Sequence, residues 1–86
     1  MKGKTKSGFK YTITESRMDD MELLDKLAEL EENPLLLGTV CGMFLGKEQK
    51  KALYEHCRNE DGVVKATVIE KELVEIMTTS TEGKNS

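Results

Sequence analysis

Apolar residues at positions 23, 24, 27, 28 and 30 recur at helical spacing, with Glu29, Glu31 and Glu32 between and after them. The spacing predicts an amphipathic helix that starts at Asp19, with Asp19 as N-cap and Glu22 three residues on as in a capping box. Asn33-Pro34 closes that helix and opens the next, with Asn33 as N-cap and Pro34 at the first helical position. The following stretch, residues 35–46, reads LLLGTVCGMFLG and contains no charge. Leu36, Leu37, Val40, Cys41 and Phe44 form one apolar stripe, and Leu35, Gly38, Gly42 and Leu45 lie on the opposite side. A helix that is apolar all round is a buried one. Mid-helix glycine costs about 1 kcal/mol against alanine, so Gly38 and Gly42 call for the close approach of another helix. Gly46 is a stop signal.

Beyond Gly46 the pattern turns polar. Residues 47–59 predict a third helix with Ala52, Leu53, Tyr54 and Cys57 inward. An Asp-Gly turn breaks it, and residues 66–77 predict a fourth, burying Val68, Ile69, Leu73, Ile76 and Met77 with Glu70, Glu72 and Glu75 outside. Before the helices, Phe9, Tyr11 and Ile13 alternate with polar residues, the period of a strand. A lone strand implies either an extended arm or pairing with another chain. Residues 1–7 and 78–86 are polar and without period, and are expected to be disordered tails around one domain at 8–77. The expected fold is all-α: a small bundle of four helices with an extended N-terminal arm or short strand.

At 86 residues a single domain is the expectation, and so small a core is marginal alone, which favours association, including with further copies of the chain. The apolar run spans about 18 Å as a helix against a hydrocarbon core of about 30 Å, so no membrane span is expected. Formal net charge is −3, and there is no tryptophan, with two tyrosines and two phenylalanines. Lys2, Lys4, Lys6 and Lys10 make a basic arm without interleaved arginines or aromatics. Nucleic acid is therefore not expected as the partner. Asp19, Asp20, Glu22, Asp25 and Glu29 form an acidic face that is either simply solvated or meets a basic partner.

Candidate chemistry is thin. Residues 57–68 overlay a calcium loop at Asn59, Asp61 and Gly62, but Cys57 and Val68 stand where the first and last carboxylates belong. Cys41, His56 and Cys57 are one ligand short of a closed zinc site. His56 and Cys57 are adjacent, so on a helix they point about 100° apart and cannot act as base and nucleophile. Both thiols are expected to be reduced, and neither catalysis nor a cofactor is expected.

Three segments carry a resemblance: MDDMELLDKLAELEENPLLL, FLGKEQKKALYEHCRNEDGVV and IEKELVEIM. Together they resemble the small tail assembly chaperones of long-tailed phages and prophages of Gram-positive bacteria, over about residues 9–77. The family order is an acidic Asp-Asp-x-Glu-Leu-Leu helix, Asn-Pro with a leucine run, a Leu-Gly-x-Glu-Gln helix, Asp-Gly-x-Val, and a Glu-Leu-x-Glu-Ile helix. The resemblance implies a non-catalytic protein that binds the long helical tape measure protein and keeps it soluble during tail-tube assembly. The major tail protein is a second candidate partner. It implies action in the cytoplasm of the bacterial host and absence from the mature virion. The surface expected to bind the client is the glycine side of the second helix: Leu35, Gly38, Gly42, Met43 and Leu45. The alternative is a small helical phage regulator, of the anti-repressor or toxin-neutralising type.

Overall fold

The structure, a computed structural model, describes the backbone of residues 1–85 and the side chains of residues 1–79. In chain order the elements are β1 (Lys2–Lys4), β2 (Lys10–Thr12), α1 (Glu15–Met18), α2 (Met21–Glu32), a 3-10 turn (Pro34–Leu36), α3 (Leu37–Leu45), α4 (Lys47–Cys57) and α5 (Ala66–Asn85). The chain is mostly helical, as expected, but among the described residues it has five α-helices and a two-stranded sheet rather than four helices and an arm.

The sheet corrects the expected N-terminal tail. Residues 1–7 are not a loose arm: β1 pairs antiparallel with β2, Gly3 opposite Tyr11. In the reversal, Gly8 N–H donates to the Thr5 carbonyl at 2.9 Å and Thr5 N–H to the Phe9 carbonyl at 2.9 Å, a three-residue loop. Gly8 has φ of 99°, the left-handed position such loops require at their third residue. The predicted strand thus finds its partner within the chain. Phe9, Tyr11 and Ile13 are all buried in the core, as their alternation predicts. The Tyr11 ring lies over Gly3, and a Cβ there would run into it. Gly3→Val should therefore displace the ring and lower stability by about 1–3 kcal/mol, the range for overpacking, read as a drop in the urea midpoint.

The first long helix starts one residue later than the sequence suggests. Asp20, not Asp19, is the N-cap, its side chain accepting from the Glu22 and Leu23 amides. Asn33 does cap the next element, but Pro34 opens a 3-10 turn before the α-helix begins at Leu37. Gly46 ends α3 with φ of 84° and is at the same time the residue before α4.

The end of α3 shows where its carbonyls find donors. Gly46 N–H donates to the Gly42 carbonyl at 2.9 Å, the Arg17 guanidinium donates to the Met43 carbonyl, and the Gln49 amide donates to the Leu45 carbonyl at 2.7 Å. A cation at a helix C-terminus also complements the helix dipole. Gln49 does more. Its carboxamide both accepts from Thr12 N–H at 2.6 Å and donates to the Thr12 carbonyl at 2.7 Å, imitating a third strand on the edge of β2.

Val40, Cys41, Phe44 and Leu45 of α3 meet Leu23, Leu53, Ile69, Leu73, Ile76 and the three hairpin residues in one core. Three expected core residues are outside it: Val68 is partly exposed, Ala52 is exposed, and Leu36, from the expected stripe of the second helix, is half-buried apart from the cluster. α5 also runs past Met77, so Thr78 and Thr79 are helical rather than tail, because a packed helix extends at little further cost once nucleated. Ser86 lies outside the described residues.

Candidate functional surface

The exposed large apolar side chains are the first place to look for a binding surface. Leu35 is 91% exposed, Met21 65% and Leu24 55%. Met21 and Leu24 stand one turn apart on α2, and Ala28, also exposed, continues the line four residues on. At about 100° per residue these three fill a sector roughly 60° wide. Glu22, Asp25, Glu29 and Glu32 fill the neighbouring sector, and all four are exposed. The opposite side of the helix sends Leu23 into the core, with Leu27 and Leu30 packed against it. Apolar character on α2 is thus wider than the core covers, and its uncovered part is edged by carboxylate. Lys26, at 3.3 Å from Glu29, forms an ion pair within this helix.

The residues expected to bind a client do not come together as a surface. Leu45 is buried at the core. Met43 packs against it, half-buried. Gly38 and Gly42 do serve a close approach, but the approaching element is α4 of the same chain: a Cβ at Gly38 would lie 3.3 Å from Tyr54 Oη, and one at Gly42 3.5 Å from Lys50 Cδ. Lys50 Nζ in turn sits 5.6 Å from the centre of the Tyr54 ring. Leu35 alone of the five is open to solvent.

A second polar cluster ties the hairpin to α5. Glu72, expected on the outer face, is buried, and its Oε1 accepts from Thr5 Oγ1 at 2.9 Å and Ser7 Oγ at 2.7 Å. Lys6 N–H donates to Glu75 Oε2 at 2.7 Å. Ser7 Oγ also lies 3.0 Å from His56 Nε2, and the His56 ring stands 5.7 Å from that of Phe9. Serine, histidine and glutamate meet here, but the carboxylate holds the hydroxyl directly rather than orienting the imidazole. That is not the order in which an acid and a base activate a nucleophile.

The loop that overlays a calcium motif is organised by its own hydrogen bonds. Asn59 Oδ1 accepts from the Asp61 amide at 2.9 Å and the Val63 amide at 3.0 Å, and Arg58 Nη1 donates to the Gly62 carbonyl at 2.8 Å. Gly62 takes φ of 79°. The Arg58 guanidinium, 2.7 Å from Glu55, holds that carboxyl below its usual range. Among the described residues no three His, Cys, Asp or Glu side chains are grouped to hold a metal ion, and no helix is long and apolar enough to cross a membrane.

Both cysteines are free. Burial pushes the Cys41 thiol up to about 11, against a smaller opposing pull from Lys50, and burial also raises Cys57. A thiol held protonated in the fold but released at its ordinary value when unfolded stabilises the fold below that value. Stability should then fall as pH rises from about 9 towards about 11, and Cys41→Ala should flatten that slope in urea titrations. At pH 8 a maleimide should label Cys57 well before the fully buried Cys41.

Comparison with models of known protein families, with curated proteins and with solved structures finds no match to this chain.

Proposed function

We propose that this chain is a tail assembly chaperone of the long-tailed phage type, which holds the helical tape measure protein through the open face of α2. The observation that carries the reading is the strip formed by Met21, Leu24 and Ala28, exposed side by side on one helix, unlike the scattered Leu35, Val63 and Val74, and bordered by Glu22, Asp25, Glu29 and Glu32. The three sequence segments that resemble this family supply the identity of the client. The strip suits an amphipathic helix, apolar in the middle with lysines or arginines at its margin. Burying it contributes roughly 25 cal/mol per Å², and its small size keeps the contact reversible. A chaperone that must surrender its client to a growing tail tube needs that reversibility. The work is done before the virion is complete, in the host cytoplasm.

The test is co-expression with helical fragments of the tape measure protein encoded near this gene. The chain should raise their soluble yield several-fold and co-purify with them. Fragments that stay insoluble, or a gene with no long helical coding region nearby, would remove the proposal in favour of a small regulator.

A further inference from the structure

The hairpin has two faces of opposite character. Gly3 and Tyr11 face inward, while Lys2, Lys4 and Lys10 alternate with them and are all exposed on the other face, joined there by Thr12 opposite Lys2. An open cleft of about 520 Å³ runs beside them, lined by Lys2, Gly3, Lys4, Lys10, Tyr11, Thr12 and Gln49, with no carboxylate among these. The only ion pairs among the described residues are Lys26 with Glu29 and Arg58 with Glu55, so none of the three lysines is neutralised there. In a chain of net charge −3 this is a concentrated cationic face.

We propose that this face is the docking site for α2 of a second copy of the chain. The complement is already present: Glu22, Asp25, Glu29 and Glu32 lie in one sector of α2, exposed, and only Glu29 has an ion-pair partner among the described residues. The spacings agree. Lys2 and Lys4 stand about 6.8 Å apart along the strand, and Lys4 and Lys10 about 5 Å apart across it. Successive carboxylates on α2 step by about 4.5–6 Å along the helix axis. The lysine stems would lie on Met21 and Leu24 while their ammonium groups reach the carboxylates.

The two surfaces belong to separate parts of one molecule. α2 packs on α3, whereas the hairpin is bonded to α4 and α5. No ion pair joins hairpin and α2 within the described residues. A nucleic acid strand fits the hairpin less well. Tyr11 is buried and offers no open ring for stacking, no arginine lines the cleft, and three lysines neutralise few phosphates. Made once per pair, the contact repeats head to tail into chains or rings; made twice about a two-fold axis, it closes a dimer, and sedimentation distinguishes the two. A second copy and a helical client would compete for the same strip of α2, but the proposal stands on charge and placement alone and does not need the chaperone reading. Self-assembly without any affinity for helical clients would uphold it while removing the other.

Sedimentation velocity on the full chain at about 20 mM and about 500 mM salt is the experiment, since contacts between exposed charges are screened by salt. The protein should associate with rising concentration at low salt and disperse at high salt. Lys2→Glu/Lys4→Glu/Lys10→Glu should weaken association at least tenfold, and so should Asp25→Lys/Glu29→Lys/Glu32→Lys. Mixed one to one, the two variants should associate again, since each supplies the surface the other has lost. All six changes are at exposed side chains, and a glutamine version of the first set should show the same loss with less perturbation. A wild-type monomer at low salt, or a mixture that stays dispersed, overturns the proposal. So does a fluorescent oligonucleotide that binds the lysine face of a protein that does not self-associate.

Discussion

Glu72→Ala should lower the unfolding free energy by about 3 kcal/mol and release the hairpin from α5 before the helices come apart. The buried carboxylate accepts from Thr5, itself 3% exposed, and from Ser7. A hydrogen bond to a charged group contributes about 1.5–3 kcal/mol, and leaving a buried hydroxyl without an acceptor adds a desolvation penalty. The Ser7 bond, at an exposed residue, adds less. Against a total stability of roughly 4–13 kcal/mol for a chain this long, the loss is large. Urea unfolding would measure it, and amide exchange would show Tyr11 and Ile13 losing protection ahead of Leu53. Glu72→Gln keeps an acceptor and should cost less. Thr5→Val/Glu72→Leu removes the Thr5–Glu72 bond from both ends but leaves the buried Phe9 N–H, which donates to Thr5 Oγ1 at 3.1 Å, without its acceptor, so it should recover only part of the stability. If Glu72→Ala leaves both stability and exchange unchanged, Glu72 does not hold the hairpin, and Phe9, Tyr11 and Ile13 with the Gln49 and Glu75 bonds do.

Met21→Glu/Leu24→Glu should cut binding of a helical tape-measure fragment by more than tenfold with little change in stability. Both side chains are more than half exposed, so new charge there meets water in the free protein and apolar surface only in the complex. Leu45→Glu is the contrasting case: 5% exposed, it would put an unpaired charge into the core and should abolish folding. Fluorescence anisotropy with a labelled fragment, alongside circular dichroism, separates the two. If Met21→Glu/Leu24→Glu binds normally while remaining folded, the client uses another surface.

Much of the helical layout was legible because local chemistry agreed with the tertiary answer. Leu23, Leu27 and Leu30, the Asn33-Pro34 junction and Gly46 each say locally what the fold does. The hairpin is not legible in the sequence because Lys2-Gly3-Lys4 has no apolar side chain to betray a strand. Its partner fills that gap instead, with the Tyr11 ring lying on Gly3. Ser7-Gly8, ahead of an alternating strand, was the available signal. Glu72 is masked by its charge. Three residues after Ile69 and four before Ile76, it stands at the edge of the buried stripe, and helical periodicity places it there whatever its polarity. The glycines of α3 were understood in kind but not in partner. A sequence shows that Gly38 and Gly42 admit a neighbour, not that the neighbour is the next helix folding back. On α2, the wide apolar arc was visible in the sequence. Which part of it stays open depends on how far α3 reaches around, and only the assembled core decides that.

The bonds from Thr5, Lys6 and Ser7 to Glu72 and Glu75 join residues 65 to 69 positions apart. They enclose most of the chain in one loop, and closing it costs entropy before any of these bonds can form. Helices and their neighbours can assemble from nearby sequence, but the bonds between hairpin and α5 form only when these two distant segments meet. Folding should therefore be slower than the helical content alone would suggest.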